Sequence, residues 1–286
     1  MSSTAQQEKV STFYRAIDGV TVTNIKQMYD LYSTYYENTS LDIFINDLSK
    51  KTGVILVVRK SDDRIVGFST QTVLNLTIEG RRVRGVFSGD TIIDQRYWGN
   101  NRLGVQFYRF LIREKLKHPW VPFYWFLISK GYKTYMLMTN NCYKYYPHVD
   151  GNKEEYRRVT QAYCEQLFPE AFDKDKMLLN FGEQYVRLKE AIAEITPEIA
   201  AANPKIAYFE KMNPSWRRGT ELPCLGVLDF ESALISFYAR PKKWIQKYIL
   251  RNYKPAGLDL AKQLDAQQLA TWRDADDASL ERGKAS

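Results

Sequence analysis

The stretch Val83-Arg84-Gly85-Val86-Phe87-Ser88-Gly89-Asp90-Thr91-Ile92-Ile93-Asp94-Gln95-Arg96-Tyr97-Trp98-Gly99-Asn100-Asn101-Arg102-Leu103 decides how this chain is read. Val83 to Ile93 is rich in β-branched and apolar residues and reads as a strand. Asp94 ends it. The polar, glycine-containing segment Gln95 to Arg102 then opens directly into a helix predicted over Leu103 to Lys117, whose apolar face is Leu103, Phe107, Phe110 and Leu111. A strand, a tight loop and a helix N-terminus in succession build an anion site. The first helical N–H groups lack internal partners and the helix dipole adds positive potential. Gly99 lets the backbone approach closely, and Arg96 and Arg102 add charge-assisted contacts.

Upstream of this stretch, two helices are predicted. Thr21 to Tyr36 carries the stripe Ile25, Met28, Leu31, Tyr32 and Tyr35, with Thr23 or Asn24 as its cap. Ser40 caps a shorter helix ending near Lys50. Strands follow at Val54 to Arg59 and Ile65 to Leu76. With turns at Ser61 to Arg64 and Glu79 to Arg81, they join Val83 to Ile93 in an antiparallel meander. Downstream lie an apolar segment, Trp120 to Ser129, a predicted strand at Thr134 to Met138, and an aromatic stretch from Cys142 to Tyr146 stopped by Pro147. On the predicted helix Leu103 to Lys117, Arg109, Arg113 and Lys117 form a basic row. The second half reads as mostly helical, over Lys153 to Leu167, Glu183 to Ile195 and Glu231 to Arg251, with one β-like stretch at Leu222 to Phe230 and a charged, Ala-rich tail after Gly257. The expected division is a core over 1–150 and a helical extension over 151–286 that returns a strand near 222–230.

Composition narrows the partners. With 286 residues, 44% of them hydrophobic, the chain has ample core and is globular. The formal charge of +8 favours anionic partners such as phosphorylated cofactors, acidic carrier proteins, nucleic acid or an anionic membrane. No zinc-finger spacing and no RNA-binding aromatic signature point to nucleic acid. Three widely spaced cysteines, Cys142, Cys164 and Cys224, suit free thiols, and two histidines, His118 and His148, do not suggest a metal site. The polar start, Met1 to Val10, reads without a signal peptide, and Trp120 to Ser129 is too short to span a membrane. The expectation is a cytoplasmic protein without a tightly bound cofactor.

The segment Arg96-Tyr97-Trp98-Gly99-Asn100-Asn101 resembles the GNAT superfamily signature, Gln/Arg-x-x-Gly-x-Gly/Ala, which lies between the fourth strand and the third helix of that fold. Arg96 and Gly99 match, and Asn101 stands where the family prefers Gly or Ala. The order of elements from Thr21 to Pro147 resembles the family core as well. The resemblance implies an α/β (α+β) fold: a mixed, mainly antiparallel sheet flanked by helices, here with a largely helical C-terminal extension. It also implies an acyltransferase that moves an acyl group from acyl-CoA, or from an acyl carrier protein, to an amine by direct attack. The length and aromatic content are similar to those of the larger long-chain members, such as the N-acyl amino acid synthases. The row Arg109, Arg113 and Lys117 would then suit an acidic carrier.

Residue roles follow from the resemblance alone. Thr91, Ile92, Ile93 and Asp94 would lie along the donor's pantetheine arm. Arg96, Gly99, Asn100, Asn101, Arg102 and Leu103 would hold its diphosphate, and Asn140 and Asn141 its amide groups. Asp90, on the fourth strand among apolar neighbours, is the expected base, ahead of Glu114 and His148. Tyr146, from the cluster Tyr143, Tyr145 and Tyr146, is the expected acid for the leaving thiolate. Trp120 to Ile128 reads as an insertion that packs in the core or walls an acyl pocket. Two other readings remain: a non-catalytic ligand-binding protein of this fold, and a hydrolase using Cys142 or Ser88, for which no Gly-x-Ser-x-Gly elbow exists.

Overall fold

The computed structural model describes residues 8–98, 100–182, 187–188 and 195–229, all within one compact unit. In chain order its elements are β1 (Val10–Ala16), α1 (Val22–Tyr35), β2 (Tyr36–Glu37), α2 (Leu41–Ser49), β3 (Gly53–Arg59), β4 (Ile65–Ile78), β5 (Arg81–Ile93), α3 (Arg102–Leu116), β6 (Phe123–Ser129), α4 (Tyr132–Thr139), β7 (Tyr145–Tyr146), α5 (Glu154–Leu167), β8 (Phe172–Asp173), β9 (Leu178–Leu179), β10 (Arg187–Leu188), α6 (Pro197–Ala202), α7 (Pro204–Met212) and β11 (Leu222–Val227). Among the described residues seven strands form one sheet in the order β1-β3-β4-β5-β6-β11-β7. Every pair is antiparallel except β5 with β6, which α3 joins by a crossover.

Local chemistry accounts for the early elements. Thr21 Oγ1 accepts from the Asn24 N–H while Asn24 Oδ1 accepts from the Thr21 N–H, a reciprocal cap that starts α1. Ser40 caps α2 through the Ile43 N–H. Glu79 and Gly80 both take positive φ, 50° and 75°, so β4 and β5 close through a two-residue turn. One face of the sheet packs on α3, α4 and α7, through side chains such as Val57, Trp125 and Leu127 against Phe107, Phe110, Met138 and Phe209. The other face packs Leu56 and Phe68 against α1 and α2, and Leu74, Phe126 and Leu225 against α5.

Five expectations are corrected. The fold begins with a strand, not a helix: β1 pairs along its whole length with β3 at the sheet edge. Its residues are mostly half-buried, and its apolar and polar residues do not alternate, so no strand pattern announces it. Trp120 to Ile128 is no insertion, because Phe123–Ser129 is itself the strand parallel to β5. Covered on both faces, it reads as a continuous apolar run. Thr134 to Met138 lies in helix α4, not in a strand. Tyr135, Met138 and Thr139 are its buried positions, at helical spacing, and Met136-Leu137-Met138 are strong helix formers. Tyr146, expected on a helix after the strand predicted at Thr134 to Met138, stands in the short strand β7. Of the expected helix Glu183 to Ile195, the described pair Arg187–Leu188 is instead a strand opposite Tyr36–Glu37, and 183–186 and 189–194 lie outside the described residues. The expected helix Glu231 to Arg251 and the tail after Gly257 also lie outside them.

Candidate active site

Strands β5 and β6 are paired only from Arg84 to Phe87 and from Phe123 to Phe126. Their approach is close enough that a Cβ on Gly85 would collide with the Phe126 ring. Immediately beyond this stretch β5 carries a bulge. Gln71 faces Ser88 and Ser69 faces Thr91, so Gly89 and Asp90 together oppose the single residue Thr70. A bulge bends and twists its strand, and past it β5 has no ladder with β6. The two parallel strands therefore open into a gap, and the edge of β5 from Ser88 to Ile93 that faces β6 has no strand partner among the described residues.

Charged groups from four elements meet at this gap, beside the Tyr36 phenol. Asp90 comes from the bulge. Lys51, just past α2, pairs with Asp47 at 2.8 Å and stands 5.8 Å from the Phe87 ring centre. It also borders Gly89, whose ideal Cβ position is 3.7 Å from its Nζ. Lys130, one residue past β6, stands 3.5 Å from Glu221 Oε1 and 5.3 Å from the centre of the Tyr36 ring. Glu221, one residue ahead of β11, is only 1% exposed. Its Oε1 has no hydrogen bond, only the ion contact with Lys130.

The electrostatics follow from burial. Desolvation raises the Glu221 pKa to about 7; Lys130 opposes the shift and the Asp90 charge adds to it. Desolvation likewise raises the Asp90 carboxyl, with Lys51 and Lys130 pulling it down and Asp47 pushing it up. The Tyr36 phenol is pushed up by desolvation, then by Asp90 and Glu221. Glu221, raised to about 7, can accept a proton near neutral pH, and burial shifts Asp90 in the same direction.

At the far end of β5, four residues and about 13 Å beyond Asp90, lies the loop into α3. Arg96 is turned back on Asp94, with contacts of 3.0 and 2.7 Å. Tyr97 is buried and donates to the Glu8 carboxylate, and the Trp98 indole N–H donates to the Ile93 carbonyl at 2.8 Å. Asn100 Oδ1 accepts from the Arg102 N–H at 3.0 Å, so Asn100 supplies the cap that Asn101 does not. Leu103 is buried beneath the first turn of α3, and an ideal Cβ on Gly104 would meet only open space. Gly99 lies outside the described residues. Along β5, Thr91 shares a hydrogen bond with Ser69, Ile92 packs against the α1–α2 side and Ile93 against the α3 side.

Other expected site residues stand elsewhere. Tyr146 is three strands from β5, about 14 Å across the sheet, and is buried, with desolvation pushing its phenol up to about 12. Asn140 and Asn141 cap the far end of α4. There Asn140 Oδ1 accepts from Lys205 and the Asn141 amide donates to the Leu137 carbonyl. Glu114 is buried and held by Arg84 at 3.3 Å and Lys117 at 2.6 Å, an ion-paired group unsuited to proton transfer. The His148 ring lies tilted against Tyr145, 4.2 Å between ring centres, and its Nδ1 accepts from the Asp150 N–H. Cys142 is buried, which pushes its thiol up to about 12, and Ser88 Oγ accepts from the Trp125 indole. Neither is an activated nucleophile. Glu221, Lys130 and Lys51 were not anticipated. The visible signal for Glu221 was a carboxylate directly ahead of a β-like stretch.

No protein-family model and no curated protein matches this chain. Among solved structures it is similar to a conserved protein of unknown function from Enterococcus faecalis, a probable N-acyltransferase, at 16% identity and a TM-score of 0.35 over 46% of this chain and 32% of that one. The match thus spans about a third of the Enterococcus protein. It is also similar to Arabidopsis thaliana NAA60 in complex with a bisubstrate analogue, at 10% identity and a TM-score of 0.35 over 47% and 87% of the two chains. A third similarity is to the NatC complex bound to Gag peptide and CoA, at 13% identity and a TM-score of 0.36 over 44% and 79%. The description of the fold rests on its own strand order and register: a mixed, mainly antiparallel sheet flanked by helices, with one parallel pair that opens at a bulge.

Proposed function

We propose that this chain is an N-acyltransferase that moves an acyl group from an acyl-thioester, borne by coenzyme A or by a carrier protein's phosphopantetheine, to an amine. The observation that carries this reading is the gap between β5 and β6, with the Asp90 and Glu221 carboxyls at its mouth and a strand-to-helix loop at its end. A narrow pantetheine-like arm suits the unpaired edge of β5, whose backbone groups can bond its amides and polarise the thioester carbonyl. The first turn of α3 supports a diphosphate. An amine reaches the site as an ammonium ion and must lose a proton before it attacks. Asp90 or Glu221 takes that proton; the amine nitrogen then bonds the acyl carbon, the C–S bond breaks, and the sulfur leaves to be protonated as a thiol. Lys51 and Lys130 hold the carboxyls in place.

The test is release of free thiol when the purified protein meets acyl-CoA donors of increasing chain length and a panel of amines. Amine-dependent release supports transfer. Donor binding without release for any pair would leave a binding protein of this fold, and release independent of amine would indicate a hydrolase.

A further inference from the structure

The outward face of α3 combines exposed apolar side chains with exposed arginines. Val105, Ile112 and Leu116 are exposed along it, the last two at 58% and 62%, and Trp120 beyond its end is 89% exposed on a turn bounded by Pro119 and Pro122. Val105, Arg109, Ile112 and Leu116 follow the spacing i, i+4, i+7, i+11, which places them in one line along the helix. Arg109 and Arg113 are exposed beside that line. The only carboxylate of the helix, Glu114, is buried beneath it and already paired with Arg84 and Lys117. The surrounding sequence is equally one-sided: residues 95–149 contain nine Lys or Arg and a single acid.

We propose that this face docks the protein on an anionic lipid surface, independently of the reaction assigned to the gap. A line of apolar side chains flanked by guanidinium groups, ending in an exposed Trp, is the arrangement that seats a helix in the headgroup layer, with apolar groups inserted and cations on the phosphates. The charges oppose a second copy of the chain as occupant, because a two-fold contact through this face would bring Arg109 and Arg113 near the same residues of the other copy. A folded acidic partner would need a cavity matched to the protruding Trp120, whereas a fluid headgroup layer accommodates it without one.

The experiment is sedimentation of the full-length protein with phosphatidylcholine vesicles, with and without phosphatidylglycerol, across a salt series. The expected result is binding only to the anionic vesicles, weakening as salt rises. The double variant Ile112→Glu/Leu116→Glu should lower the partition coefficient at least tenfold, with an unchanged melting temperature since both side chains are exposed, and Trp120→Ala should lower it as well. Binding of the variants at the parent level would overturn the proposal and move the contact elsewhere, for example to the basic, aromatic stretch 237–254. No binding by the parent, a concentration-dependent dimer that Leu116→Glu dissolves, or capture of a purified acidic carrier protein by this face in place of vesicles would also overturn it. Thiol release in the soluble assay does not depend on this face, so the two readings fail separately.

Discussion

Lys130 Nζ lies 3.5 Å from Glu221 Oε1, a contact made because β6 and β11 are antiparallel neighbours with Ser129 opposite Leu222. The pairing brings the residue just after one strand beside the residue just before the other. Both end at the gap where β5 turns away, so a carboxylate far from Asp90 in sequence shares its field.

If a deprotonated carboxylate at the gap accepts the amine's proton, transfer rises with pH through about 7, the Glu221 value. Glu221→Gln should remove that limb of the pH–rate profile. Asp90→Asn should lower kcat by about 10²-fold or more. A Glu221→Gln enzyme with the parent profile would exclude Glu221 as the base, and an Asp90→Asn enzyme with parent kcat would exclude Asp90.

Glu221 also links stability to pH. Its folded-state pKa, about 7, lies above the 4.5 of an ordinary glutamate, so between those values the folded chain binds more protons than the unfolded one. The contribution is fully present below about 4.5 and is lost as pH rises to 7. The melting temperature of Glu221→Gln should fall less than that of the parent between pH 5 and pH 8. Parallel curves for the two proteins would contradict a buried, proton-binding Glu221.

Arg84 and Glu114 form a buried ion pair at 3.3 Å, and Arg84 also donates to the Glu114 carbonyl and to Asn75 Oδ1. It fastens the C-terminal half of α3 to the β4–β5 hairpin. Glu114→Ala leaves the guanidinium buried without its carboxylate and should cost about 3–5 kcal/mol in urea unfolding. Replacing both partners with apolar residues of similar size should cost far less. Equal losses for the single and double variants would show that the packing of the stems, not the pair, holds the helix.

Gly85→Ala pushes a methyl group into the Phe126 ring, which is fully buried and 4.3 Å, centre to centre, from Tyr163. The cost should be about 1–3 kcal/mol, partly restored by pairing the change with Phe126→Leu. Phe126→Ala should destabilise the fold by about 3–5 kcal/mol and reduce activity with every donor alike, because the ring fills the core beneath α5. A change in donor chain-length preference at unchanged stability would instead place Phe126 in an acyl pocket.

What the sequence determined by itself is the run from α1 to α3. The cap at Ser40, the turn at Glu79-Gly80, strand periodicity and the apolar stripe from Leu103 to Leu111 are local signals, each readable within one or two turns of chain, whereas the cap of α1, expected at Thr23 or Asn24, falls at Thr21. Asp90 was legible too, as a carboxylate in an apolar strand, although the bulge that presents it was not. Tertiary structure decided the rest. Phe123–Ser129 and Tyr132–Thr139 are both apolar and aromatic, and only the neighbours β5 and β11 make the first a strand and the second a helix. β1 is a strand because the edge of β3 is there to pair with it. Glu221 and Lys130 carry no local mark of function. Burial by strands remote in sequence gives one of them a near-neutral proton affinity and sets the other beside it, and no window of sequence contains both sides of that contact.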